Sequence, residues 1–193
     1  MSEISKLIDE CIKLGIAKFL KSHGFNKSGR NWHKEVDNNW QIVNVQASSG
    51  NFASEGRFAI NLGVYISEIE SYCGNTLNGK PKEYDSTIGI RLGSTDSASD
   101  FWWEIDAKSD LQSISNDVVQ KLESQGISWL NHHLDISNVS NSLNVQPSVQ
   151  SFSAALLSGN EEEAKRRVIA AIEDRPRAEA HFKRWSTKAG LEL

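Results

Sequence analysis

Apolar residues recur at helical spacing through Ile4, Leu7, Ile8, Cys11, Ile12 and Phe19, with Ser2 ahead of them and Gly24 behind. This spacing predicts an amphipathic helix of about five turns, capped by Ser2 and closed by Gly24 in a left-handed conformation. The period then changes from helical to alternating. After a Lys27-Ser28-Gly29 turn, Asn31 to Val36 and Trp40 to Ala47 read as strands joined by the hairpin turn Asp37-Asn38-Asn39. From Arg57 to Ile66 the alternation is clean: Phe58, Ile60, Leu62, Val64 and Ile66 point one way, while Ala59, Asn61, Gly63 and Tyr65 point the other. Ile88, Ile90 and Leu92 repeat the pattern against Thr87, Gly89 and Arg91, and Phe101, Trp103 and Ile105 repeat it against Trp102 and Glu104. The polar stretches 72–85 and 93–100 read as loops, which gives an antiparallel meander of about five strands with local hairpin connections.

The second half is helical. Ser109-Asp110-Leu111-Gln112 reads as a capping box, and Leu111, Ile114, Val118 and Leu122 form an apolar stripe ending at Gly126, with a further short helix from Ile127 to Leu134. Asp135 to Gln146, rich in Ser and Asn, reads as a long connection pinned by isolated apolar residues. Beyond it, Pro147 opens a helix through Leu157, a capping box of Asn160 and Glu163 opens a second, and Arg175-Pro176 precedes a third carrying Ala178, Phe182 and Trp185. The expected architecture is α+β: an antiparallel β-meander with one face packed by helices over residues 1–134, a connection over 135–146, and a helical C-terminal segment over 147–193.

If Phe58, Ile60, Leu62 and Val64 face the core, pairing places Val43, Val45, Ile88, Ile90, Leu92, Phe101, Trp103 and Ile105 there too. The opposite face then carries Asn44, Gln46, Asn61, Arg91 and Glu104, with Trp40, Ile42, Tyr65 and Trp102 around them. Asn is depleted in strands because its side chain competes for local backbone hydrogen bonds, so amides at mid-strand ask for a reason. Amides supply donors and acceptors together, Arg91 offers a planar fork, and indoles give stacking area at low entropic cost. Asn44, Gln46, Asn61, Arg91, Trp102, Glu104 and Trp40 are therefore the candidate binding residues. The competing structural account is that covering segments bury this face and that Arg91 and Glu104 form an ordinary cross-strand ion pair.

Charge and chemistry narrow the function classes. A formal net charge of -4 over 193 residues argues against a nucleic-acid binder, which needs a basic surface. The basic tail residues Lys165, Arg166, Arg167, Arg175, Arg177, Lys183 and Arg184 interleave with acidic ones, as on a solvated helix face. Two distant cysteines, Cys11 and Cys73, make neither a disulfide framework nor a zinc site, and a reduced, cytoplasmic setting fits. The first twenty residues lack the apolar region of a leader, and no apolar run approaches the roughly 18 residues of a membrane span. His132 and His133 diverge by about 100° on a helix and do not converge on a metal. Gly93-Ser94-Thr95-Asp96-Ser97 lacks the lysine and helix of a phosphate cradle. No nucleophile elbow, zinc-protease helix or Cys-x-x-Cys is present. No cofactor is expected.

Three blocks in order, Gly24-Phe25-Asn26-Lys27-Ser28-Gly29-Arg30-Asn31-Trp32, then Trp40 to Ser48, then Phe58 to Tyr65, resemble the bacterial family catalogued as domain of unknown function 4304. The likeness covers roughly Leu14 to Ile66, with Arg91 and Trp102-Trp103 as later matches. Ala47 departs from it, standing where the resemblance implies a basic residue. The resemblance implies no activity. The expected function is accordingly a non-enzymatic interaction module, similar in fold style and acidic charge to small immunity proteins, with another protein as partner and the oligomeric state open. The alternative is an enzyme or small-ligand binder with Arg91 as anion anchor and Glu104 or His33 as acid or base. A third reading is a nucleic-acid module using Trp40, Trp102, Arg30 and the basic tail.

Overall fold

The computed structural model describes residues 2–52, 55–94, 101–145 and 147–193. It is an α+β protein built on one antiparallel sheet. Strands β1 (Asn26–Ser28), β2 (Asn31–Val36), β3 (Asn39–Ala47), β4 (Glu55–Tyr65) and β5 (Ile88–Arg91) lie in sequence order, and β6 (Trp103–Asp106) also pairs with β4. The β2–β3 turn holds Asp37 and Asn38 at φ of 49° and 65°, the left-handed pair that matches strand twist in a two-residue hairpin.

One expected connection is different. β5 pairs with residues 61–64 of β4 and β6 with residues 55–58, so the two strands follow one another along one edge of β4 rather than forming a hairpin. Gly93-Ser94 lies between them; the rest of that motif, Thr95-Asp96-Ser97, falls outside the described residues.

Helix α1 (residues 3–22) and helix α3 (residues 111–132) cover the apolar face, and a short helix α2 (Ser67–Tyr72) follows β4. Both long helices contain a π turn, at Ile12–Ile16 and Leu122–Gly126. The cause is in the sequence. Alongside Cys11, the buried positions of α1 include Ile4, Ile8, Ile12, Ile16 and Leu20, and alongside Ser115 those of α3 include Val118, Leu122, Gly126 and Leu130, so each helix carries a four-residue repeat. At 3.6 residues per turn such a repeat drifts by about 40° per step, and one wider turn returns it to the core. Gly126 therefore continues a helix that was expected to end there, and α3 absorbs the separate helix expected from Ile127. Asp110, not Ser109, caps it, accepting from the backbone N–H of Gln112 and Ser113.

The two helices enclose Val43, Val45, Phe58, Ile60, Leu62, Val64, Trp103 and Ile105. Ile90, expected in this core, is 40% exposed because β5 is short and lies at the sheet edge. The Ser/Asn-rich stretch expected as a connection contains helix α4 (Ile136–Ser142), capped by Asp135 and anchored through Val139 and Leu143. Helices α5 (Val149–Leu157), α6 (Glu161–Asp174) and α7 (Glu179–Lys188) form a second core of Phe152, Ala164, Val168, Ala171, Phe182 and Trp185. They meet the rest of the protein where α5 packs on α4 and α2. Among the described residues no helix is long and apolar enough to cross a membrane.

Candidate functional site

Strand register puts the mid-strand amides in one row. Asn31 of β2 is opposite Asn44 of β3, Asn44 is opposite Asn61 of β4, and Asn61 is opposite Arg91 of β5. Their side chains form a continuous network. Asn61 donates to Asn44 Oδ1 (3.2 Å) and Gln46 Oε1 (2.8 Å), and Asn44 donates to Asn31 Oδ1 (2.8 Å). Arg91 donates through Nε to Asn61 Oδ1 (3.2 Å) and through Nη2 to Gln46 Oε1 (3.3 Å). Asn61 is buried, whereas Gln46 is exposed. Much of the amide hydrogen-bonding capacity is thus spent within the sheet, which explains Asn at positions where it is otherwise unfavourable.

The aromatic part is separate from the amides but touches them through Arg91. The guanidiniums of Arg91 and Arg57 both stack on the half-buried indole of Trp102, at 4.4 and 4.7 Å from the ring centroid. Arg57 shares its face with Asn61 by alternation and lies opposite Glu104 in the β4–β6 register, while Glu55 lies opposite Asp106. A cavity of about 500 Å³ opens beside them, lined by Glu55, Arg57, Glu104 and Asp106. Asp106 accepts from the Ser109 hydroxyl and the Lys108 N–H, both at 2.8 Å, and these bonds, the hydroxyl foremost, hold its carboxyl below the usual carboxylate range.

The expected residues therefore divide. Asn44, Gln46, Asn61, Arg91 and Trp102 come together, and the exposed Glu104 adjoins them. Arg91 and Glu104 are not cross-strand partners, because β5 and β6 occupy successive stretches of one edge and the residue facing Glu104 is Arg57. Trp40 stands opposite Tyr65, four residues from the Asn44–Asn61 pair, and so about 13 Å away at the far end of the sheet. Arg57 and Asn31 were missing from the expectation although register could have found both: Arg57 alternates with Asn61, and the two-residue turn at Asp37-Asn38 sets Asn31 against Asn44.

The other half of the polar face is covered by a strap, residues 80–86. His33 donates from Nε2 to the Pro81 carbonyl at 2.9 Å, and Ser86 sits directly on Gly63, where a Cβ would collide with its hydroxyl. Gly63 thus serves close approach by a covering segment of the same chain. Burial pushes the His33 pKa down.

Other candidates have structural roles. Arg30 pairs with Asp9 at 2.8 Å and donates to the Ser5 carbonyl and hydroxyl. His133 bonds the Trp129 carbonyl and Ser142 through its two ring nitrogens. In the basic tail, Lys165, Arg166 and Arg167 pair with Glu161 and Glu163 one helical turn away. Burial pushes the thiols of Cys11 and Cys73 up to about 11 and about 12. Among the described residues, no group of His, Cys, Asp and Glu could hold a metal ion.

A family model described as a domain of unknown function (DUF4304) matches residues 16–132, more than half of the chain and including the whole sheet. No curated protein and no solved structure matches it.

Proposed function

Since the chain belongs to the DUF4304 family, a membership that carries no activity, we propose from the site alone that it is a non-enzymatic, immunity-like interaction module. It docks a basic surface of another protein on the patch formed by Trp102, Gln46 and Glu104. The observation that carries this reading is the indole of Trp102, half-buried and held by two stacked guanidiniums beside a cavity bearing three carboxylates. Trp and Arg concentrate binding energy at protein interfaces, and a rigid, partly exposed indole loses little entropy on docking. Glu55, Glu104 and Asp106, on a chain of net charge -4, complement a lysine or arginine inserted from the partner. The amide network supports a binding role: Arg91 is held in place by Asn61 and Gln46, which fixes its guanidinium against the Trp102 ring. The accompanying setting is the bacterial cytoplasm, a reading supported by the family resemblance and by two free cysteines.

The test is capture of the partner from the native host, followed by titration of the purified pair. Trp102→Ala and Glu104→Lys should each weaken binding by at least about tenfold, with the far-ultraviolet dichroism unchanged, and rising salt should weaken it further. A captured protein that binds both variants as tightly as the wild type would remove this patch as the interface.

A further inference from the structure

The chain leading from α2 into the strap is fixed at two points and free between them. At the first, Asn75 donates its backbone N–H to the Glu70 carbonyl at 2.9 Å and its side chain to the buried Glu70 carboxylate at 2.6 Å. At the second, the Pro81 carbonyl accepts from His33. Among the described residues, no hydrogen bond reaches the stretch 76–80. Asn78 and Gly79 lie within it, both exposed, and Asn78 is the one asparagine of the chain that precedes a glycine. Gly79 has a φ of 89°, with open space where a Cβ would stand. Asn44, Asn61 and Asn75, by contrast, commit their side chains to hydrogen bonds and precede larger residues.

We propose that Asn78 is a modification site of the folded protein, converted to isoaspartate and aspartate by attack of the Gly79 backbone nitrogen on its own side chain. That nitrogen, deprotonated by solvent base, adds to Asn78 Cγ; the N–Cγ bond forms, the Cγ–Nδ2 bond breaks, and the side-chain nitrogen leaves as ammonia. Water then opens the succinimide ring. Attack at Cγ gives aspartate, and attack at the backbone carbonyl carbon gives isoaspartate, whose main chain runs through Cβ and Cγ. One water is consumed and one ammonia released, so no oxidant or cofactor enters. Ring closure needs an uncommitted side-chain amide, an unbonded backbone N–H and a following residue that leaves room for the approach. The free stretch supplies the first two, and Gly79 supplies the third because it has no Cβ and rotates freely about its backbone. Isoaspartate adds one carbon, about 1.5 Å of contour, to the main chain, and either product adds a negative charge. Because the stretch is exposed and makes no hydrogen bond, the fold absorbs both changes. The site shares no residue with the protein-docking patch, so either can fail without the other.

The experiment is incubation of the full chain in mildly alkaline buffer, with peptide mapping by mass spectrometry over time. The peptide holding Asn78 should gain one mass unit at least about tenfold faster than any other asparagine peptide, and the folded chain should convert within about tenfold of the rate in urea. The rate should rise with pH, the product should accept methyl groups from an isoaspartyl methyltransferase, and the converted protein should keep the urea midpoint of the fresh one. Asn78→Gln, whose ring would need one more atom, should leave the peptide unconverted. The inference is overturned if another asparagine converts first, if the fold slows the reaction more than about tenfold, if no isoaspartate forms, or if conversion shifts the urea midpoint.

Discussion

At the residue scale, the position that organises the polar face is Asn61. It is buried and makes three side-chain hydrogen bonds, to Asn44, Gln46 and Arg91. Asn61→Ala removes all three bonds and should cost about 1–3 kcal/mol in urea denaturation. Gln46→Ala, at an exposed site where water replaces the lost partner, should cost less than about 1 kcal/mol. The existence of this network was legible, because Asn at mid-strand is unfavourable unless its side chain has a partner, and alternation fixed the face. Its extent was less legible: Arg57 and Asn31 follow from register, which needs the turn geometry as well as the pattern. Glu70 gave no such signal. It sits on a short helix after β4, and the residue that donates to it, Asn75, comes from a polar stretch whose path periodicity does not determine.

At the element scale, the paired π turns are the main departure from the expected helices. An apolar stripe recurring every four residues is compatible with an amphipathic α-helix over two or three turns, and only over five does the accumulated drift require a wider turn. The repeat is visible in the sequence; its consequence appears only when both helices must lie flat on one sheet. If the π turn of α1 carries one residue more than an α-helix needs, deleting the exposed Leu14 from it should leave a continuous α-helix with Ile4, Ile8, Ile16 and Leu20 still on the core side. The deletion protein should fold and lose no more than about 2 kcal/mol, as read by dichroism and chemical denaturation. Removing one residue from β4 flips every later side chain to the opposite face and should abolish folding. The β5–β6 arrangement was not legible, since two alternating segments separated by a polar stretch look the same whether they pair with each other or share one neighbour.

At the scale of the whole molecule there are two cores. The second is tied together by Arg167, 4% exposed in its side chain, which donates to Glu163 at 2.7 Å and to the Ser151 carbonyl at 2.9 Å. The Arg166 and Arg167 contacts hold the Glu163 carboxyl at about 2, below its ordinary 4.5. A depressed carboxylate stabilises the fold fully above the ordinary value and loses that contribution as pH falls toward the depressed one. Between pH 4.5 and 2 the helices after residue 149 should therefore lose about 1 kcal/mol that Glu163→Gln never has, allowing for screening of the exposed Arg166. Hydrogen exchange of α6 and α7 as a function of pH, compared with the amides of β3 and β4, measures it. That the C-terminal part is helical was readable from its caps; its own aromatic centre of Phe152, Phe182 and Trp185 was not, because those residues come from helices whose mutual angles no one-dimensional pattern sets. The strap over Gly63 adds an order of assembly. Its bond from His33 to Pro81 spans 48 residues and needs β2, β3 and β4 already in register beneath it, so loop-closure entropy makes it a late event in folding and an early one in opening. The strap beside the amide row is thus the last part of the sheet layer to form, and its hydrogen-exchange rate reports how often it lifts from Gly63.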